Sequence, residues 1–232
     1  MAALKAVLLD VDGTLVDSND AHARAWVDTL NAFGHAVPFE RVRELIGKGG
    51  DKLLPEVTGL EHDSPEGKRI SEHRSRHFQQ VYLPPLKPFP CARELLARMH
   101  AEGLLLVVAT SAKEEEMAAL LRICGAEPFV QARTSSDDAE SSKPDPDIIE
   151  AALQKAGAQP EESLMLGDTP YDVQAAARAG VGTIALRSGG WSDTALQGAV
   201  ALYDDVEDLL ARYDESVLAR HRGPSSGTAA GS

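Results

Sequence analysis

Cysteine is scarce in this sequence, which contains only Cys91 and Cys124 among its 232 residues. The two lie far apart and form no C-x-x-C pair, so we expect reduced thiols rather than a disulfide framework. Long apolar runs are missing as well, and no segment approaches the length of a membrane-spanning helix. The first residues lack the charged, apolar and small-residue regions of a signal peptide. These absences favour a cytoplasmic protein that does not interact with membranes.

Basic residues are the minority, with 23 lysines and arginines against 36 aspartates and glutamates and a formal net charge of -13. A nucleic acid is not an expected partner, because its phosphate backbone would be repelled. A small anionic substrate would need a metal ion or a well-placed lysine. The 43% hydrophobic and 25% charged residues are typical of a globular protein. The chain length suits one large α/β domain, or a core domain with an insertion.

The most informative stretch is L-K-A-V-L-L-D-V-D-G-T-L-V-D-S at residues 4–18. Its apolar run predicts a buried strand that opens into a polar loop at Asp10 and Asp12. Alternation along a strand would place these two carboxylates on the same side, where they need a cation between them or a shifted pKa. In open α/β sheets, ligands bind at this end of the strands. Taken alone, the stretch also fits a buried strand followed by a surface turn.

Residues 17–87 predict a small helical module without strands, which we call the insertion. A proline-rich connector at 84–90 closes it. In the longest predicted helix, one face carries a stripe of five residues. The stripe consists of Ile70, His73, His77, Phe78 and Val81. The predicted helices span residues 18–33, 39–46, 51–57 and 66–82.

After the insertion, apolar strands alternate with helices, which predicts a parallel sheet with right-handed crossovers. The fold class is therefore α/β, with a Rossmann-like core formed by residues 1–16 and 88–222. Residues 223–232 are small and polar, and we expect a disordered tail. The later predicted strands span residues 104–109, 129–130, 163–166, 182–186 and 199–202. The helices between them span residues 91–100, 113–124, 147–156, 171–179 and 206–213.

Polar groups end three of these strands, and a loop adds a lysine. They occur in the order Asp10 and Asp12, Thr110 and Ser111, Lys143, then Asp168 with Asp172 one helical turn on. Packing does not account for such an ordered set. The order, and D-V-D-G-T-L-V-D-S at 10–18, resemble the four motifs of the haloacid dehalogenase-like hydrolase superfamily. Most members of that superfamily are Mg-dependent phosphatases.

The resemblance implies a role for each carboxylate. Asp10 would be the nucleophile and form an aspartyl-phosphate. Mg²⁺ would be bound by the Asp10 carboxylate, the backbone carbonyl of Asp12 and Asp168. The Asp12 side chain would act as general acid and then as general base. Asp172 is placed in the same metal site, where it would hold a metal-bound water or orient Lys143; it could equally be an acid that complements a helix dipole.

The same resemblance implies that Thr110, helped by Ser111 and nearby backbone N–H groups, binds the transferring phosphoryl group. Lys143 would supply a fixed positive charge to Asp10 and to the phosphoryl oxygens. The alternative for Lys143 is a solvated loop lysine, which is the usual environment of this residue type.

The insertion corresponds in position to the family's helical cap, which closes over the site and selects the leaving group. Candidate substrate contacts there are His22, Trp26 and Lys48. For Lys48, in the I-G-K-G-G loop at 46–50, a surface turn is the alternative. His73 and His77 have the spacing of metal ligands, but ordinary core or surface histidines explain them better because arginines flank them.

The expected activity is hydrolysis of a small phosphomonoester, such as a sugar phosphate or 2-phosphoglycolate, by a monomer. Asp12 argues against a dehalogenase, which lacks an acid at this position. A β-phosphoglucomutase-like mutase is the main alternative because A-H-A-R-A-W at 21–26 resembles its first cap helix. The lysine and arginine of that subfamily's cap loop are replaced here by Ile46 and Gly50. Phosphonate hydrolysis would need Lys48 as a Schiff-base lysine, and a non-catalytic binding protein should have lost a motif residue.

Overall fold

In the computed structural model, which describes residues 3–219, six strands form one sheet. The strands are β1 (Ala6–Leu9), β2 (Leu105–Ala109), β3 (Val130–Thr134), β4 (Ser163–Gly167), β5 (Gly182–Leu186) and β6 (Ala201–Tyr203). Their order is β3-β2-β1-β4-β5-β6, and all neighbours are parallel. This confirms the predicted α/β class. Residues 220–232, with the predicted tail, lie outside the described residues.

The described residues also contain nine α-helices. They are α1 (Asn19–Ala32), α2 (Phe39–Arg43), α3 (Gly50–Thr58), α4 (Pro65–His77), α5 (Ala92–Ala101), α6 (Glu114–Ile123), α7 (Asp147–Ala156), α8 (Pro170–Arg178) and α9 (Val206–Ala211). No helix in this part of the chain combines the length and apolar character needed to cross a membrane.

The sheet is apolar on both faces, which explains the continuous hydrophobic run of β1. Val7 and Leu9 pack with residues of α5, α6 and α9 on one face. Leu8 points to the other face and packs with residues of α7 and α8. All three side chains are fully buried. Burial of each such side chain stabilises the fold by about 1.5–3 kcal/mol.

The insertion folds around a hydrophobic cluster of its own. Between residues 19 and 82, the described chain forms α1 to α4 and a π-helical turn at Phe78–Tyr82, but no strand. Trp26 and Leu30 of α1 pack there against Leu53 of α3 and Ile70 of α4. The insertion therefore has a hydrophobic core that is separate from the two clusters on the faces of the sheet.

Several element boundaries differ from the sequence prediction. Helix α2 ends at Arg43 rather than at residue 46, and Gly47 then turns the chain with φ +107. A Cβ on Gly47 would lie 2.7 Å from Cγ2 of Thr169, so this turn also brings the loop against the core. Val81 does not belong to the buried stripe of the long helix, since it is 50% exposed. The π-helical turn changes the residue spacing there.

Three core elements differ as well. Strand β3 continues to Thr134, whereas the prediction stopped at residue 130. Strand β6 is Ala201–Tyr203 rather than residues 199–202. Helix α9 ends at Ala211, and Tyr213 begins a short 3-10 turn.

The strand order creates the crevice in which the polar residues meet. The chain passes from β1 to β2 and β3 on one side, and β4 then pairs with β1 on the other side. At such a reversal the loops leaving neighbouring strands separate and leave an opening at their carboxyl ends. Asp10 directly follows β1, and Asp168 directly follows β4. Two of the predicted acids are therefore brought together by the topology alone.

Candidate active site

Lys143 joins two buried carboxylates. Its Nζ donates hydrogen bonds to Oδ1 of Asp10 at 2.6 Å and to Oδ1 of Asp172 at 2.7 Å. The lysine side chain is only 1% exposed, so it is not the solvated loop lysine of the alternative interpretation. Burial alone would lower the pKa of Lys143, but the charges of Asp10 and Asp172 raise it above its ordinary value. The lysine is therefore a fixed cation.

Asp168 is completely buried beside this group. Thr14 Oγ1 donates to its Oδ1 and Asn19 Nδ2 donates to its Oδ2, both at 2.8 Å. Burial and the charge of Asp172 raise the pKa of Asp168 to about 7, against the effect of these hydrogen bonds. Thr14 and Asn19 thus orient the Asp168 carboxylate, but their hydrogen bonds do not offset the effects of burial and of the Asp172 charge on its pKa.

Asp172 also lies in the first turn of helix α8. Its Oδ2 accepts hydrogen bonds from the backbone N–H of Thr169 at 3.0 Å and from Thr169 Oγ1 at 2.7 Å, while Thr169 Oγ1 caps the Asp172 N–H. This reciprocal capping box satisfies donors at the helix start. The other oxygen, Oδ1, accepts from Lys143. The geometry therefore combines two of the sequence interpretations of Asp172, as a helix-start acid and as a partner of Lys143.

Asp12 has different partners. Its Oδ1 accepts a hydrogen bond from Ser18 Oγ at 2.5 Å and another from His22 Nε2 at 2.6 Å. Burial alone would raise the pKa of Asp12, but the contacts with His22 and Ser18 hold it below its ordinary value. For Asp10, burial and then the charges of Asp172 and Asp168 raise the pKa well above its ordinary value, despite Lys143. The two acids of the first motif therefore differ in protonation tendency.

The donor set suits a hard divalent cation. Carboxylate oxygens of Asp10, Asp168 and Asp172 lie within 4.8 Å of one another. Burial, and then the mutual repulsion of three carboxylates grouped around Lys143, raise the pKa values of Asp10 and Asp168. Magnesium prefers oxygen ligands and neutralises such clusters. The side chain of Asp12 is not part of this cluster, and only its backbone carbonyl was expected to bind metal.

Thr110 and Ser111 follow strand β2 and line a cavity of about 340 Å³ together with Asp10 and Asp12. The N–H of Thr110 donates to the carbonyl of Thr134 at 3.1 Å, and its Oγ1 accepts from the N–H of Ala112 at 3.1 Å. Ser111 Oγ is buried and has no hydrogen-bond partner among the described residues. The two predicted phosphoryl-binding residues therefore reach the same space as the acids.

The three predicted insertion residues line this cavity as well. His22 contacts Asp12, and Trp26 is buried with 5% exposure. Lys48 is neither free nor a simple surface residue: its Nζ donates to Oε2 of Glu56 at 2.6 Å and lies 5.0 Å from the ring centroid of Tyr171.

His73 and His77 engage other groups. Nδ1 of His73 lies 3.3 Å from Thr29 Oγ1, and Nε2 of His77 lies 3.0 Å from Oδ2 of Asp28. These contacts fit ordinary structural histidines, as the sequence analysis favoured.

Two residues of the site were missed from the sequence. Arg74 Nη1 donates to both carboxylate oxygens of Glu116 at 2.8 Å, and its Nη2 donates to Nδ1 of His22. Neither Arg74 nor Glu116 was a candidate site residue in the sequence analysis. Their pairing joins α4 to α6 across 42 residues, and no local pattern reveals it.

Together, the fold and the site define an α/β protein with a cluster of buried carboxylates at the ends of parallel strands. The family model for haloacid dehalogenase-like hydrolases matches residues 7–186. The chain belongs to this family of hydrolases, which confirms the resemblance seen in its motifs.

Named relatives agree with this assignment. The chain is 32% identical over 216 residues to a phosphoglycolate phosphatase from Rhodospirillum rubrum, a match that covers 88% of this chain and 89% of the relative. A hydrolase structure from Pseudomonas syringae is 31% identical with a TM-score of 0.84, covering 91% and 98% of the two chains. The phosphate complex of CbbY from Rhodobacter sphaeroides is 26% identical with a TM-score of 0.75, covering 89% and 96%.

Proposed function

We propose that this protein is a Mg-dependent phosphatase that hydrolyses a small phosphomonoester through an aspartyl-phosphate at Asp10. The observation that carries the proposal is the position of Lys143, which is buried between Asp10 and Asp172 and lies beside Asp168. The phosphatase name of one relative and the phosphate bound to CbbY support the substrate class.

In the first step, an oxygen of Asp10 attacks phosphorus and the bond to the leaving alcohol breaks. Lys143 holds the attacking carboxylate at a fixed position and offsets its charge, which would otherwise repel the phosphate. Thr110 and Ser111 bind oxygens of the transferring group from the end of β2. Asp12 protonates the leaving oxygen.

In the second step, water attacks the phosphorus of the aspartyl-phosphate, Asp12 takes a proton from that water, and phosphate and free Asp10 are released. The lowered pKa of Asp12 suits this base step, because the residue is a carboxylate at rest. For the acid step, a substrate bound as the phosphate monoanion first passes its proton to the Asp12 carboxylate, and Asp12 then delivers that proton to the leaving oxygen.

The proposed magnesium ligands are the Asp10 carboxylate, the Asp12 backbone carbonyl and Asp168. When bound, Mg²⁺ would neutralise negative charge that the phosphoryl group brings to the site. Asp172 contributes by fixing Lys143, because its Oδ1 accepts a hydrogen bond from Lys143 Nζ at 2.7 Å.

We further propose that the insertion, residues 17–87, is a cap on a core of residues 1–16 and 88–222. Ion pairs join the two parts: Arg74 with Glu116 at 2.8 Å, and Lys52 Nζ with Asp145 Oδ2 at 2.7 Å. The cap would exclude water and gather His22, Trp26 and Lys48 around the leaving group.

A mutase is the second candidate, favoured by His22 on the first helix of the insertion. Such an enzyme must hold a second phosphate. At Gly50, however, an added Cβ would lie 3.2 Å from Cζ2 of Trp26, so this position has no room for a phosphate-binding arginine unless the indole shifts. The remaining alternative, a non-catalytic binding protein, predicts Mg²⁺ binding without phosphate release.

The proposal is tested by phosphate release from sugar phosphates, 2-phosphoglycolate and nucleotides, with and without Mg²⁺. We expect turnover that needs the metal and disappears in Asp10→Asn. Asp17→Asn is the matched control, since Asp17 lies exposed in the same loop, and it should retain activity. Equal rates with and without Mg²⁺, or in wild type and Asp10→Asn, would contradict the proposal. Mg²⁺ binding without release from any ester would favour the binding protein or the mutase.

A further inference from the structure

Both cations that the insertion places in the cavity already have glutamate partners. Arg74 binds both oxygens of Glu116, and Lys48 binds Glu56. The Arg74 and Glu116 side chains are only 11% and 3% exposed. A buried, bidentate guanidinium–carboxylate pair is strong and geometrically specific. Each cation therefore already has a carboxylate partner, and a second anionic group from a substrate would have to compete with a glutamate.

The rest of the lining is acidic. Apart from Asp10 and Asp12 of the phosphoryl site, five aspartates and glutamates line the cavity, against three lysines and arginines, namely Lys48, Arg74 and Lys113. Of these three, Lys113 immediately precedes α6 and is exposed. Like charges at close range disfavour a bound anion. Away from the phosphoryl site, this cavity therefore repels a second carboxylate or phosphate.

The cavity also offers an uncharged hydrogen-bonding group without a partner. Ser71 Oγ is buried, lines the cavity and has no hydrogen-bond partner among the described residues. A hydroxyl can donate and accept, so this serine can pair with a hydroxyl group of a ligand. Buried polar groups left unpaired are costly, which favours a ligand that satisfies them.

We propose that the cavity selects phosphomonoesters whose leaving group is a neutral, hydroxyl-rich alcohol, and that Glu116 sets this selectivity by occupying Arg74. The proposal rests on the proposed phosphatase function. A substrate such as 2-phosphoglycolate would have to displace Glu116 from Arg74, leaving a buried carboxylate unpaired, which is strongly unfavourable. Glu116 is thus a positioning residue that acts through Arg74.

The test compares kcat/KM for glucose 6-phosphate with kcat/KM for 2-phosphoglycolate and for fructose 1,6-bisphosphate. We expect wild type to prefer glucose 6-phosphate at least tenfold. Glu116→Gln keeps the shape of the side chain but frees Arg74, so the preference should shift at least tenfold toward the two anionic esters, mainly through KM. Glu114→Gln removes the same charge from the same helix and should leave the preference unchanged.

A purely structural effect of Glu116→Gln would lower all three rates together and would contradict the proposal, as would a wild-type preference for the anionic esters. The dissociation constants of the same three esters are also measured with Asp10→Asn protein, with and without Glu116→Gln. This binding assay tests selectivity even if no ester is hydrolysed, so failure of the phosphatase function and failure of the selectivity are distinguishable. We expect the same preference and the same shift in binding.

Discussion

Nε2 of His22 lies 2.6 Å from Oδ1 of Asp12. The partner of the other ring nitrogen shows which of these two atoms is the hydrogen-bond donor. Nδ1 of His22 accepts from Arg74, whose guanidinium has donors only. With Nδ1 accepting, Nε2 is the nitrogen that donates a hydrogen bond to the carboxylate. This contact holds Asp12 in place, and the His22 ring stacks on that of Phe78 with their centroids 4.0 Å apart.

His22→Ala should therefore lower kcat about 10-fold or more, while leaving KM within a few-fold. This loss is expected to be smaller than that of Asp12→Asn, since removal of a general acid–base group costs about 10²–10⁴-fold. His22→Gln is the matched control because its amide can still donate to Asp12, and it should recover part of kcat. Steady-state kinetics on one ester measures all three variants. If His22→Ala turned over at the wild-type rate, the positioning role would be wrong.

Lys143→Met should destabilise the fold strongly. The lysine separates two buried carboxylates, and removing one partner of a buried ion pair costs about 3–5 kcal/mol in the free energy of unfolding. Lys155→Met is the control, because Lys155 pairs with Asp138 near the surface, at 36% and 33% exposure. That change should cost no more than about 1 kcal/mol. Urea unfolding measures both; similar losses would show that the buried cluster does not depend on its cation.

Both the backbone conformation at residue 13 and the atoms around it require a glycine there. It has φ +77, and an added Cβ would lie 2.1 Å from Asn19 Nδ2 and 2.2 Å from Asp168 Oδ2. Gly34 has a similar φ of +86 but nothing within 4 Å of its Cβ position. Gly34→Ala should cost about 1–2 kcal/mol, which is the backbone strain alone. Gly13→Ala should cost at least about 1 kcal/mol more in urea unfolding and should displace Asp168. Equal losses would argue against the close packing at Gly13.

Magnesium should stabilise the protein through Asp168. At a concentration 100 times its dissociation constant, a ligand that binds only the folded state adds about 2.7 kcal/mol. Thermal unfolding should therefore show a higher Tm with MgCl₂, reversed by EDTA. Asp168→Asn should lose most of this increase. Asp63→Asn removes a charge from an exposed residue that lines the cavity and should keep it. If MgCl₂ raised the Tm of Asp168→Asn as much as that of wild type, the metal would bind at a site other than Asp168.

Much of the fold could be predicted from the sequence because its strongest patterns are local. The apolar run of β1 and the polar residues that follow it reflect burial and the loop after a strand. The parallel order then brings Asp10 and Asp168 together. Strand β3 was harder to delimit because it lies at the sheet edge, where its residues are mostly half-buried and its apolar pattern is weak.

Not every feature of the site residues could be predicted in the same way. The resemblance placed Lys143 beside Asp10, but the burial of Lys143 depends on where its loop packs, which the residues of that loop do not indicate. The pairing of Arg74 with Glu116 depends on how the insertion rests on the core. Lys48 and Glu56 are eight residues apart in the sequence. Only the position of α3 in the fold shows that their side chains form a hydrogen bond.

The most direct test of the phosphatase mechanism is a single-turnover reaction with a radiolabelled phosphomonoester in Mg²⁺, quenched with acid and followed by peptide mass spectrometry. We expect a transient phosphorylated peptide whose modified residue is Asp10, and neither label nor released phosphate from Asp10→Asn. Asp12→Asn should accumulate the label for longer, since it lacks the base that activates water. Undiminished phosphate release by Asp10→Asn, or a label on another residue, would contradict the assignment of Asp10 as the nucleophile.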